Sequence, residues 1–322
     1  MRVLVAPGAF KGSMSAAEAA HRLGRDVLAA HPQADLVYLP MADGGDDTVD
    51  VLCRHGWHVT GLPSGAEVAV RHEVVVVELA RLCGMRTLMR PDPWGASTLA
   101  LGTALREVAQ LTPARVLLAL GGSASTDGGL GMLRALAGAR TGGGLRDLVD
   151  VVAEGKDVNL PRLPYSMTAV VDVLAPLCGP SGAAMAFGPQ KGLAADECRL
   201  ADDVLARWAA MLEVNPEVPG TGAAGGTGAA ALALGADLQS GARAIAELID
   251  LDAAVGSADL VVTGEGRLDA TTLAGKSPMI VIEAALAAGI PVRCVVGQTD
   301  PDVAALLGDR GVDVVILDTS TA

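Results

Sequence analysis

The sequence predicts an α/β fold: a doubly wound parallel sheet made from the two ends of the chain, with a second α/β domain inserted between them. Three observations predict it. Short, wholly apolar runs alternate with helical stretches at both ends, the pattern of parallel strands covered on both faces. Most of these runs stop at glycine or proline. Hydrophobic residues make up 51% of the chain and aromatics only 2%, so the core is packed with Ala, Val and Leu, which suits helices lying close on a sheet.

The elements follow in order. Val3 to Ala6 reads as the first strand and ends at Pro7-Gly8. Ser15 and Glu18 have capping-box spacing, and Ala19, Leu23 and Val27 share one helical face. Leu36 to Leu39 is a second strand, completing a βαβ unit. After the loop Ala42 to Asp47 a short helix begins near Thr48. In the middle, Val74–Leu79, Val116–Leu120 and Val170–Val173 read as strands, and Ser97–Ala109 and Ala194–Leu212 as helices. Two glycine clusters, Gly121–Gly129 and Gly220–Gly228, stand between them. The last third repeats the opening grammar. Strand Leu260–Thr263 leads into Gly264-Glu265-Gly266. Helix Pro278–Ala288, strand Val292–Val296, helix Asp302–Leu307 and strand Val314–Leu317 follow.

At roughly 100–200 residues per domain, 322 residues make two domains or one large one. The net charge of −13 argues against nucleic acid and anionic membrane surfaces, which need basic faces. Cys53, Cys83, Cys178, Cys198 and Cys294 are odd in number and widely spaced, which fits a reducing, cytoplasmic location better than a disulfide framework. The opening residues read as a strand rather than a signal peptide, and no apolar run reaches the roughly 18 residues of a membrane span.

Several segments carry candidate chemistry. Gly121–Gly129 follows a strand and precedes a helix, where converging N–H groups and the helix dipole hold an anion; Ser123, Ser125 and Thr126 add hydroxyls. The plainer alternative is a tight turn capped by Asp127. Gly264 to Asp269 also follows a strand, and Lys276 stands before a helix within reach of a phosphate. Ala270 to Ser277 nearly matches a P-loop, but Ala270 replaces the first glycine. Gly220 to Gly225 fits the dinucleotide fingerprint without the strand it needs. Lys11 and Asp43 follow the first two strands, and Asp172 is a carboxylate inside an apolar strand, which requires pairing, metal or a raised pKa. Cys53, His55 and His58 fit no standard metal site.

Taken together, several segments resemble the bacterial, non-P-loop glycerate kinase family. They are Ala6-Pro7 through Phe10 to Ala16, Met41 to Gly45, Gly121 to Gly129, Pro176 to Pro180, Phe187 to Gly192, Gly222 to Gly228, Thr263 to Asp269 and Thr272 to Lys276. They run in family order from Met1 to about Val296. The resemblance implies ATP-dependent phosphorylation of D-glycerate, usually at the 2-hydroxyl, with Mg²⁺. It also implies a discontinuous flavodoxin/Rossmann-like domain, placed at residues 1–60 and 255–322, an inserted α/β domain at 61–254, and an active site in the cleft between them. Oligomeric state stays open, a homodimer included.

Phosphoryl transfer needs positioning, charge neutralisation and a group to orient the attacking hydroxyl. Gly121, Gly122, Ser123, Ser125, Thr126, Asp127, Gly128 and Lys276 are the candidates for the ATP phosphates. Asp127 and Glu265 are candidates for Mg²⁺. Asp43, Asp172 and Lys11 are the catalytic candidates, and Lys11, Lys191 or Arg267 would pair with the substrate carboxylate. Where the resembling family carries polar groups or a glycine, this chain has Gly8, Ala9, Asp47, Leu174 and Ala175. Those departures support two rival readings: a non-catalytic paralogue that binds a nucleotide or a phosphorylated acid, and a kinase of another small hydroxy acid.

Overall fold

A computed structural model of the chain describes residues 1–10, 12–155, 157–158, 160–273 and 275–317. Among them are eleven strands: β1 Arg2–Val5, β2 Asp35–Tyr38, β3 His58–Gly61, β4 Glu67–Arg71, β5 Val74–Glu78, β6 Arg115–Ala119, β7 Ser166–Val171, β8 Asp237–Ser240, β9 Leu260–Leu268, β10 Val292–Thr299 and β11 Asp313–Ile316. The fold is α/β with largely parallel sheets, as the sequence predicts. The chain divides into two compact units, one of Met1–Asp43, Asp50–His55 and Gly241–Ala322, the other of Gly44–Val49 and Gly56–Ser240.

The first unit holds a parallel five-stranded sheet in the order β11-β10-β9-β1-β2. Crossing back to a parallel partner requires a helix, and Ala16–Ala30 supplies it between β1 and β2. That helix starts where the sequence says it should. Ser15 accepts from the Glu18 amide, and Glu18 accepts from the Ser15 amide at 2.8 Å. Such a cap is worth about 1 kcal/mol. Ala20, Leu23 and Val27 then bury against Val3, Val5, Val262 and Val295.

One expectation changes here. Gly264-Glu265-Gly266 is not a loop after a strand; it lies within β9, which pairs with β10 as far as Leu268↔Thr299. A Cβ on Gly264 would stand 1.9 Å from the Val295 carbonyl oxygen, so glycine at this position admits the neighbouring strand rather than a ligand.

The second unit holds a six-stranded sheet in the order β3-β4-β5-β6-β7-β8. β3, β4 and β5 form an antiparallel meander, and β5 to β8 run parallel. The helices Leu99–Val108, Leu130–Leu136 and Ala195–Met211 cover it, and the core is the Leu, Val and Ala packing expected from composition, with Trp208 its largest fully buried side chain. Fully burying one such aliphatic side chain stabilises by about 1.5–3 kcal/mol.

Where breaks are expected at 60/61 and 254/255, the units change at 55/56 and 240/241, and residues 44–49 also fall in the second unit. β3 starts at His58 and hydrogen-bonds to β4, which draws residues 56–60 into the second unit. Helix Gly241–Leu248 packs on the helices Leu251–Gly256 and Ser277–Ala287 of the first unit. The strand expected at Val170–Val173 ends at Val171, where its partner β8 ends at Ser240. Asp172 therefore sits half-buried just beyond the carboxyl end of β7, not inside an apolar strand.

Candidate functional site

The Gly121–Gly129 loop leaves the carboxyl end of β6 and enters the helix Leu130–Leu136, the position where open α/β sheets bind ligands. Its course is fixed by two buried charges. Asp127, 0% exposed, accepts from the Thr98 amide (2.9 Å), the Thr98 hydroxyl (2.7 Å), the Gly131 amide (3.2 Å) and the Gly129 amide (3.2 Å). Burial pushes its pKa up, and the hydrogen bonds from Thr98, Gly131 and Gly129 oppose that. Lys191, 4% exposed at the end of helix Ala183–Lys191, donates to Ser123 Oγ (2.9 Å) and to the Ser125 carbonyl oxygen (2.5 Å). Burial pulls its pKa down to about 8, against the opposing pull of Asp127, Asp172 and Cys83. Between these two anchors, Ser125 Oγ and Thr126 Oγ1 are buried with no hydrogen-bond partner among the described residues.

The second glycine cluster supports the first. Ala224, Gly225 and Gly226 all have left-handed backbones, with φ of 53°, 65° and 94°. The turn they make lets the Gly225 carbonyl accept from the Gly128 amide at 3.0 Å. A Cβ on Gly225 would stand 2.1 Å from the Ser125 carbonyl oxygen. The letters that imitate a dinucleotide fingerprint are thus a close-packing surface for the Gly121–Gly129 loop.

In the same unit, Asp46 and Asp47 lie 3.5 and 3.9 Å from the guanidinium of Arg86. Arg86 is on the short turn Met85–Thr87, and the Met85 amide donates to the Gly122 carbonyl at 3.0 Å. Asp47, where the resembling family has glycine, keeps a left-handed φ of 67°. Glu78, 3% exposed at the end of β5, accepts from the Val49 amide at 2.8 Å and lies 3.4 Å from Arg81. Thr98, Glu78 and Arg86 were not legible as site residues, because their partners are 29, 29 and about 40 residues away in sequence with no local motif to join them. Leu174 is 56% exposed, and the Ala175 carbonyl accepts from the amides of both Gly220 and Gly222 at 3.1 Å.

In the first unit, Lys276 is the N-cap residue of helix Ser277–Ala287, with its ammonium 4.0 Å from Asp269. Arg267 lies 3.5 Å from the same carboxylate. Asp269 also takes the Thr271 hydroxyl, the main reason its pKa is held below the usual range. Glu265, 8% exposed, accepts the Thr272 hydroxyl. Asp43 is half-buried at the end of the segment that follows β2, and the Gly8 amide donates to the Gly264 carbonyl at 2.9 Å. Lys11 lies outside the described residues.

Two expected roles do not fit this geometry. Asp127 is engaged by protein rather than open to Mg²⁺ in this arrangement: Oδ2 accepts three donors and Oδ1 one, all from the loop and the Thr98 turn that it holds together. Lys191, expected to pair with a substrate carboxylate, instead spends its ammonium on the Ser123 hydroxyl and the Ser125 carbonyl in this structure. Among the described residues no three His, Cys, Asp or Glu side chains gather as a metal site, which includes Cys53, His55 and His58. No helix there is long and apolar enough to cross a membrane.

A family model described as the glycerate kinase family matches residues 3–320. The chain is 35% identical to the glycerate kinase of Bacillus subtilis strain 168, over 94% of this chain and 86% of that protein. It is 33% identical to the glycerate 2-kinase of Escherichia coli K12, over 98% and 90%. A crystal structure named for glycerate kinase 2 of Salmonella typhimurium LT2 matches with a TM-score of 0.77 and 29% identity, covering 100% of this chain and 92% of that one.

Proposed function

Since the chain belongs to the glycerate kinase family and is therefore a small-molecule kinase, we propose that it transfers a phosphoryl group from ATP to D-glycerate, giving 2-phosphoglycerate. The observation that carries this reading is the Gly121–Gly129 loop. It leaves a parallel strand, opens a helix, and keeps two buried hydroxyls, Ser125 and Thr126, without a hydrogen-bond partner among the described residues. A loop of this kind offers donors and a helix N-terminus to phosphate oxygens.

Roles follow from placement. Gly122, Ser123, Ser125 and Thr126 are the groups proposed to receive ATP phosphates; Gly121 and Gly128 shape the loop, their amides donating to the carbonyls of Gly44 and Gly225, and Asp127 holds it from within. In the first unit, Lys276 at its helix N-terminus meets a phosphate, and Arg267 pairs with the substrate carboxylate. Asp43 and Asp172, both half-buried, are the groups proposed to orient the attacking hydroxyl. With Asp127 spent, Glu265 is the one remaining candidate for Mg²⁺. It already accepts the Thr272 hydroxyl and is almost enclosed, so a Mg²⁺ there would be held largely by the phosphates it accompanies.

A second reading has one observation in its favour. Leu174 is an exposed apolar side chain two residues beyond Asp172, where the resembling family carries a polar group. That suits a kinase of a less polar hydroxy acid. The experiment is a coupled ADP-release assay with D-glycerate beside a panel of small 2-hydroxy acids. D-glycerate giving the highest kcat/KM supports the first reading. A clear preference for an alkyl-substituted hydroxy acid supports the second, and no ADP release with any acceptor overturns both.

A further inference from the structure

We propose that Lys191 is a positioning residue: its enclosed ammonium clamps the Ser123–Ser125 stretch so that the hydroxyls of Ser125 and Thr126 remain the donors the loop offers to a phosphate. The proposal rests on the reading of Gly121–Gly129 as the phosphate loop. Three observations carry it. Lys191 stands 68 residues from Ser123 in sequence, yet it bonds both the Ser123 hydroxyl and the Ser125 carbonyl. A buried ammonium is costly and persists only where its hydrogen bonds repay the desolvation. Asp127 anchors the other end of the same loop through the amides of Gly129 and Gly131, so the loop is held by a cation on its strand side and an anion on its helix side. The two hydroxyls between them have no hydrogen-bond partner among the described residues, the condition in which buried polar groups call for a ligand.

The ammonium is faced by Asp127 from the loop, by Asp172 beyond β7 and by the buried thiol of Cys83 from helix Leu79–Cys83. Both carboxylates favour its protonated form, and burial opposes them, leaving the amine to lose its proton near pH 8. A neutral amine keeps fewer donors and no charge, so the clamp weakens as the proton leaves.

The test uses the full chain with ATP as the probe. Calorimetry gives ATP affinity, and hydrogen exchange follows the amides of residues 121–129, in wild type, Lys191→Met and Lys191→Arg. Lys191→Met is expected to weaken ATP binding about 10- to 150-fold, the range for a lost hydrogen bond to a charged group. It should also speed exchange across the loop, and Lys191→Arg should recover part of both. Wild-type affinity should fall between pH 7 and 9.5 while that of Lys191→Met stays level. Equal loop exchange in wild type and Lys191→Met, or an alkaline fall that survives the substitution, overturns the clamp. Failure of wild type to bind ATP at all sinks the phosphate-loop reading instead, and is read separately from the exchange data. Should Lys191→Met not fold, Ser123→Ala removes one of the two anchors; it should speed exchange of the same amides, and unchanged exchange overturns the proposal.

Discussion

The hydroxyl of Thr98 donates to Asp127 at 2.7 Å while its oxygen accepts from the Met132 amide at 2.9 Å, so one buried side chain ties the glycine-rich loop to the helix that follows it. Neither residue need touch a ligand for the loop to depend on both.

Thr98→Ala is expected to destabilise the protein by about 1.5–3 kcal/mol, because it leaves a fully buried carboxylate short of a charge-assisted bond and the Met132 amide without its acceptor. Thr98→Ser keeps the hydroxyl and should recover most of the loss. Urea unfolding of the two variants measures it; equal stabilities would show that the hydroxyl contributes nothing.

Gly225→Ala should cost more than about 3 kcal/mol. The added methyl meets the Ser125 carbonyl at 2.1 Å, and the φ of 65° is a left-handed value that alanine adopts at a penalty. The same unfolding measurement checks it, and a loss under about 1 kcal/mol would mean the two loops do not pack as described.

Asp47→Gly should stabilise by about 0.5–1 kcal/mol, because residue 47 already holds a left-handed φ of 67° that glycine adopts without strain. The 3.9 Å contact with Arg86 that is lost lies at the surface and is worth little. A loss of stability would show that the Arg86 pairing outweighs the backbone strain.

Much of this architecture is legible in the sequence, and the reasons are local. The capping box at Ser15 and Glu18 depends on residues three apart, and the apolar runs of β1, β6 and β10 announce themselves. What sequence alone misses depends on contacts made across long separations. Asp172 follows an unbroken apolar run, so nothing local marks the strand's end; the register with β8 does. Gly264–Leu268 looks like a loop because of its glycines, and only pairing with β10 makes it a strand. Lys191 looks like a ligand lysine because its anchors lie 66 and 68 residues away. The Gly121–Gly129 loop stands out by composition, whereas Thr98, which holds it, is one threonine at the start of an ordinary helix.

Lys191 also gives stability a pH signature. Its folded pKa of about 8 lies below the 10.5 of an unperturbed lysine. Between those values the unfolded chain holds a proton that the folded chain has released, so this group's contribution to stability rises with pH. The slope is at most about 1.4 kcal/mol per pH unit. Below about pH 8 both states are protonated and the contribution is flat. Wild-type stability measured against Lys191→Met should therefore rise from pH 8 to pH 10, and a difference that stays constant or falls would contradict the buried cation.

The most direct measurement of the central claim follows the reaction itself. Wild-type protein is incubated with ATP, Mg²⁺ and D-glycerate, and the product is identified by phosphorus and proton NMR, with Lys276→Ala run in parallel. A phosphoester on the 2-hydroxyl, formed in step with ADP, is expected, with a kcat/KM for ATP about 10- to 150-fold lower in Lys276→Ala, as for a lost charged contact to phosphate. Wild-type protein that releases no ADP in the presence of D-glycerate, or a Lys276→Ala variant as efficient as wild type, would contradict it.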